Sequence, residues 1–198
     1  MIRWFAGFVL SLGTPIWAQD LPALYSVTGV AADDVLNLRA SPSASGEVIG
    51  SLAPDAKAVE VVAFDGDWAV INVDGVAGYA AGRFLAPDGG PGWSSLERPV
   101  ICSGTEPFWS LAIDPATGSA GFSTPEQPEP RNMAIKDVWP ATDWSKSAAV
   151  SLPVGLAVLR GADCSDGMSD QRFGIAVDLF LQDAGGLRLT GCCNLQVE

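Results

Sequence analysis

The chain contains no histidine. That absence excludes Ser-His and Cys-His nucleophile activation, imidazole proton shuttling and the usual histidine-bearing zinc sites. Glycine-rich phosphate loops of the G-x-x-x-x-G-K and G-x-G-x-x-G types are also missing, so no nucleotide-binding fingerprint is present. Positive charge is scarce: 11 Lys and Arg stand against 23 Asp and Glu, for a formal net charge of −12. Clustered cations are what neutralise phosphates, so this balance argues against DNA and RNA as partners and equally against docking on anionic lipid. Its simplest role is solubility. Beyond the first residues no apolar run approaches the roughly 20 residues a membrane-spanning helix needs. No internal repeat suggests a propeller or solenoid. With these tools absent, the chain is read as non-enzymatic, with no catalytic residue, no cofactor and no metal.

The first residues have the layout of a targeting segment. Arg3 supplies a positive charge, Trp4 to Leu12 form a short apolar run, Gly13-Thr14-Pro15 break any helix, and Ala18 precedes Gln19. Residues 1–18 are therefore expected to be a signal peptide cleaved on export; a buried N-terminal strand is the competing reading. No cysteine lies near the cleavage point, so a lipid anchor is not expected. The expected location is periplasmic or secreted, with no integral membrane segment after cleavage.

Short alternating or β-branched runs recur between clusters of Gly, Pro, Asp and Ser, while helical periodicity is rare. The fold class predicted is all-β. Residues 25–87 read as one unit and 98–198 as another, joined by a linker at 88–97 that opens on the sequence Asp88-Gly89-Gly90-Pro91-Gly92. In the first unit, Leu36 and Leu38 alternate with polar neighbours and should face a core. A β-prone run spans Ala58 to Phe64, Asp65-Gly66-Asp67 signals a hairpin, and Asp74-Gly75 signals a second. Short strands at this spacing suggest a small barrel.

The stretches L-N-L-R-A-S-P-S at 36–43, V-I-G-S-L at 48–52, G-D-W-A-V-I at 66–71 and G-Y-A-A-G-R-F-L at 78–85 resemble the bacterial SH3 (SH3b) domain. The resemblance implies a five-to-six-stranded barrel of the kind found in exported envelope proteins and associated with cell-wall or peptide binding. The partner it implies is peptidoglycan, or an envelope protein or peptide. Trp68, Tyr79 and Phe84 are the aromatics that could line a groove; packing in the barrel wall is the competing role, since alternating apolar residues flank them. Arg39, beside the Ser-Pro turn, reads as a turn-stabilising donor.

All four cysteines, Cys102, Cys164, Cys192 and Cys193, lie in the second unit. An even count in an exported protein implies disulfides. A bridge between adjacent Cys192 and Cys193 needs a strained ring, so the two are expected on opposite faces of one strand, pairing separately with Cys102 and Cys164. Redox-active vicinal cysteines or a thiolate metal site are the alternatives, and no cation nearby is arranged to activate a thiol. The patterns C-S-G-T-E-P-F-W at 102–109, C-S-D-G-M-S-D at 164–170 and L-T-G-C-C at 189–193 resemble a family of secreted or membrane-associated bacterial four-cysteine domains. That resemblance implies no activity. A compact disulfide-linked β-barrel or sandwich is expected here, with strands at 108–113, 175–181 and 187–189.

Other candidates are weaker in signal. Asp163, Asp166 and Asp170 surround a glycine turn and offer oxygen ligands, though not at the spacing of a calcium loop. Trp139 and Trp144 lie in loose sequence where an exposed aromatic platform could form. Ser123 to Arg131 is expected to be a long acidic loop, and its Glu126-Gln127-Pro128-Glu129 segment could face a cationic, lysozyme-like wall-degrading enzyme. This makes an inhibitor or structural partner the alternative to a wall-binding module. Glu106 with an Asp would be the carboxylate pair of a wall hydrolase, but no spacing in the sequence sets their separation.

Overall fold

Left-handed turn residues punctuate the first half. The computed structural model describes residues 20–142, 146–183 and 185–195, so the segment read as a signal peptide and Trp144 lie outside the described residues. Eight strands form in the first half: β1 (Ala23–Val27), β2 (Leu36–Arg39), β3 (Val48–Leu52), β4 (Val59–Val61), β5 (Ala63–Asp65), β6 (Trp68–Val73), β7 (Val76–Ala81) and β8 (Leu85–Pro87). They make two sheets, ordered β4-β1-β8 and β3-β2-β7-β6-β5. Asp74 and Gly75 both take positive φ, the backbone a tight β6–β7 hairpin requires. Leu36 and Leu38 are buried together with Tyr25, Val61, Ile71 and Ala80.

The run expected from Ala58 to Phe64 is not one strand. It divides at Val62, where the chain leaves β1 as its partner and joins β6. Val62 N–H still donates to Val70 C=O at 2.9 Å, so its backbone donor is not lost at this corner. A 3-10 turn at Gly82–Phe84 makes the corresponding corner between β7 and β8.

Nine strands follow: β9 (Val100–Thr105), β10 (Phe108–Asp114), β11 (Ser119–Thr124), β12 (Gln127–Ala134), β13 (Asp137–Trp139), β14 (Ser147–Leu152), β15 (Gly155–Cys164), β16 (Phe173–Leu181) and β17 (Leu187–Leu195). The sheet order is β12-β11-β10-β9-β17-β16-β15-β14-β13, antiparallel at every step. Its two edges, β12 and β13, are consecutive in the chain. Across the join, Ile135 N–H donates to Gly118 C=O at 2.8 Å and Lys136 N–H to Ser151 C=O at 2.9 Å. One bent strand thus changes partners from β11 to β14, and this rolls the sheet into a barrel-like shape. Alternate residues fill the inside, among them Val100, Leu111, Val150, Leu159, Ile175 and Leu179.

The acidic loop expected at Ser123–Arg131 is instead a β-hairpin. β11 ends at Thr124, which pairs with Gln127, and 127–131 belong to β12. Pro128 and Pro130 argued for a loop, yet β12 is an edge strand along this stretch, where a missing N–H breaks no ladder.

Two disulfides cross-link this sheet, Cys102–Cys193 and Cys164–Cys192. As adjacent residues of β17, Cys192 and Cys193 point to opposite faces. Cys193 and Cys102 are register partners inside the roll and completely buried, while Cys192 meets Cys164 on the outside. Trp109 lies across the same two strands, β9 and β17, over Gly104 and Gly191, and stacks on Phe122 at a centroid distance of 6.3 Å.

Within 88–97, Trp93–Ser95 forms a 3-10 turn, and Trp93 and Leu96 are buried in the core of the second sheet. The glycines and prolines before them signalled a linker, and two apolar side chains after them plug the roll. Trp93 Nε1–H donates to Leu21 C=O at 3.2 Å, and Asp20 accepts from Ser94 at 2.7 Å and pairs with Lys146 at 2.8 Å. Contacts between the two halves extend to β6 and β7. Asn72 donates its amide to Arg172 C=O at 2.7 Å and accepts Arg172 N–H at 3.0 Å, and Ala77 N–H donates to Asp170 C=O at 2.9 Å. The halves are hydrogen-bonded to each other and not only tethered.

Candidate functional site

A cleft of about 460 Å³ opens on the first barrel between the loop after β1, strand β2 and the 3-10 turn after β7. Trp68 and Phe84 line it with Val35, Asn37, Arg39 and Arg83. Each is placed by its element. Trp68 is the first residue of β6 and pairs with Ala81 at the end of β7, which puts the indole at the barrel's rim. Phe84 closes the 3-10 turn, and its C=O accepts Thr28 N–H at 2.8 Å, which fixes the turn against the loop after β1. Gly29 in that loop has φ +69, and a Cβ there would sit 3.7 Å from the Phe84 ring. A backbone hydrogen bond thus holds the turn that carries Phe84 against the loop after β1.

Two cations give the cleft its charge. Arg39 donates to Gly46 C=O at 2.7 Å across the β2–β3 loop, the turn-stabilising contact expected of it. The Arg83 guanidinium lies over the Phe84 ring at 4.5 Å from its centroid, within cation–π range, and the side chain is exposed. Asp34 also lines the cleft, with Oδ1 accepting Val35 N–H at 2.8 Å. Aromatic faces, an amide and two guanidinium groups suit a peptide with apolar and anionic parts; the cleft brings no nucleophile and base together.

Residues 34–86 match the bacterial SH3 domain. No curated protein and no solved structure matches the chain. The SH3 match covers the strands that build the cleft, from Asp34 through Phe84, and it agrees with the motifs quoted above. The second sheet stands on its own geometry.

Tyr79, grouped by sequence with Trp68 and Phe84, is not in the cleft of the SH3 domain. It pairs with Arg39 and Val70 in the sheet and is half-buried. Val35, Asn37 and Arg83 were not singled out by sequence reasoning. Arg83 carried the clearest signal, since it stands inside the G-Y-A-A-G-R-F-L motif beside Phe84.

The remaining candidates are dispersed. Trp139 is exposed on the short edge strand β13, and its companion Trp144 lies outside the described residues. Asp163 pairs with Arg172 at 3.1 Å, while Asp166 caps its own turn by accepting Met168 N–H and Ser169 N–H at 3.0 and 2.9 Å. Those bonds hold the Asp166 carboxyl below its usual range. Asp170 contributes its carbonyl to Ala77. No group of metal-ligating side chains gathers among the described residues. Glu106 is exposed at the β9–β10 turn, and Glu126 and Glu129 are exposed on the β11–β12 hairpin. The four cysteines are all bridged, and no helix among the described residues is long and apolar enough to cross a membrane.

Sequence reasoning also passed over Asp178. It is buried on the outer face of β16 between Arg160 of β15 and Arg188 of β17, paired with both. Burial alone would raise its carboxyl, but the hydrogen bonds and charges of the two arginines hold it below the usual range. This cluster ties three strands, with the arginines committed to Asp178.

Proposed function

We propose that the chain is an exported, non-enzymatic binding protein of the bacterial cell envelope that holds the peptide part of peptidoglycan in the SH3-domain cleft. The cleft carries the reading: Trp68 and Phe84 provide apolar faces, Arg39 and Arg83 provide donors, and these four residues lie within the matched SH3 segment. Two buried or partly buried disulfides suit an oxidising compartment, which supports export. The second sheet, hydrogen-bonded to the SH3 barrel through Asn72 and Arg172, serves as a rigid body that fixes the direction of the cleft.

Co-sedimentation with purified peptidoglycan sacculi tests this. The full chain is expected in the pellet, and Trp68→Ala and Phe84→Ala are expected to leave it in the supernatant. Phe84 packs against the barrel core, so its variant melts lower and is assayed well below its own cooperative transition. Retention of both variants on sacculi would remove the cleft from the function. Absence of binding by the unaltered chain at low salt would discard the wall reading and favour a protein partner.

A further inference from the structure

Half of the ten Lys and Arg among the described residues are paired with acids. Arg131, Lys146, Arg160, Arg172 and Arg188 each pair with a carboxylate. Arg39, Lys57, Arg83, Arg98 and Lys136 pair with no carboxylate of the described residues, and of these it is Arg39 and Arg83 that line the SH3 cleft. Their roles differ. Arg39 is committed to Gly46 C=O, which fixes the β2–β3 loop. Among the described residues Arg83 has the Phe84 ring beneath it and no hydrogen-bond acceptor, a contact that orients the guanidinium through its flat face and leaves its edge N–H groups to a ligand. Edge N–H groups are what a carboxylate engages, in a two-pronged geometry that a guanidinium matches better than an ammonium. Asp34, the acid in the lining, already accepts a backbone N–H with Oδ1.

We infer that the cleft selects a peptide bearing a free carboxylate, with Arg83 as the anion contact and Trp68 and Phe84 as the faces that take its apolar part. This rests on the wall-peptide reading above and narrows it to stem peptides whose carboxyl groups are not amidated. The net charge of −12 sharpens the selection. Against that overall negative charge a carboxylate gains where a cation is free to meet it, and in the cleft that cation is Arg83.

The test is calorimetric titration of the full chain with a synthetic wall stem peptide carrying free carboxylates, and with the same peptide amidated at each carboxyl. The free acid is expected to bind about tenfold or more tightly than the amide, the loss typical of one charge-assisted hydrogen-bonded contact. Arg83→Gln is expected to bring the free acid down to the level of the amide and to leave the amide unchanged. Arg83→Lys is expected to recover part of the difference. Arg83 is exposed, so these variants should keep the melting transition of the unaltered chain.

Equal binding of acid and amide, with Trp68→Ala still releasing sacculi, would overturn the carboxylate inference and leave the wall reading standing. No binding of sacculi or of either peptide would overturn both. Equal competition by poly-glutamate would also overturn it, since the cleft would then sense charge without reading a stem peptide.

Discussion

Glu60 of the SH3 barrel reaches the backbone of the second sheet, where its Oε1 accepts Leu195 N–H at 3.1 Å. The contact joins β4 to the last strand of the chain. Burial pushes the Glu60 carboxyl up to about 7, and the Leu195 hydrogen bond only partly opposes this. The neighbouring strands offer no charge to relieve it. β1 and β6 carry Tyr25 alone as a titratable side chain, and on β17 the charged residue is Arg188, near the opposite end of the strand. Just before Leu195, Asn194 has a buried Oδ1 with no hydrogen-bond partner among the described residues. The patch is short of donors, so a negative charge is poorly accommodated there.

The sign of the resulting pH dependence follows from that raised value. A carboxyl near 4.5 in the unfolded chain and near 7 in the folded one favours folding when protonated. Its contribution is complete below about pH 4.5 and is lost as pH rises through 7. From this group alone, stability is expected to fall by roughly 2–3 kcal/mol between pH 5 and pH 8.5. Tyr25 is also raised by burial, from a starting value of 10, so it titrates above this window. Urea unfolding of the full chain at the two pH values measures the effect. Glu60→Gln keeps an uncharged acceptor for Leu195 N–H and is expected to flatten the profile. An unchanged slope in that variant would show that another group sets it.

The two disulfides should contribute unequally. Cys102–Cys193 closes a sequence separation of 91 and Cys164–Cys192 one of 28. On the chain-entropy account, the longer loop stabilises by about 4–5 kcal/mol and the shorter by about 3–4. Both sulfurs of the longer bridge are in the core, whereas Cys164 of the outer bridge is half-buried, so removing the longer one leaves the larger void. Cys102→Ala with Cys193→Ala is therefore expected to lower the melting temperature more than Cys164→Ala with Cys192→Ala. Calorimetry of the two double variants decides it, and a reversed order would contradict both arguments.

How far these features could be read in advance depends on their range. Leu36 and Leu38 were legible because burial alternates with the pleat, and Asp74-Gly75 because a tight hairpin needs two residues at positive φ. The opposite directions of Cys192 and Cys193 follow from the same period of two. What was missed is set by partners distant in the chain. Val62 breaks a β-prone run because the chain changes sheets there, and nothing in Val59–Phe64 records that change. Pro128 and Pro130 look like loop residues until β12 is known to be an edge. Trp68 and Phe84 were found as aromatics, but their meeting with Arg83 and Val35 requires the folded rim. Glu60 and Asp178 carry no local signal, since burial alone makes them unusual and their partners are 135 and 10 residues away.

Gly191 offers the most demanding test of the second sheet. A Cβ there would lie 2.0 Å from Ser103 O and 2.9 Å from Trp109 Cζ2. The first contact is with backbone, so β17 and β9 would have to separate beside the Cys102–Cys193 bridge. Gly191→Ala is expected to destabilise by about 3 kcal/mol or more, the upper range for overpacking a core. Truncating the indole should not help: Trp109→Ala adds its own loss of about 3–5 kcal/mol and leaves the Ser103 clash in place. Gly78→Ala is the control, because its new Cβ meets the tip of Ile49 at 3.3 Å, a side chain that can shift, and Leu38 Cβ at 3.4 Å. A loss under about 1.5 kcal/mol is expected there, as for tolerated core changes. Thermal unfolding of the three variants with disulfides intact makes the comparison. If Gly191→Ala melted with the Gly78 variant, the close approach of β17 to β9 beneath Trp109 would be wrong.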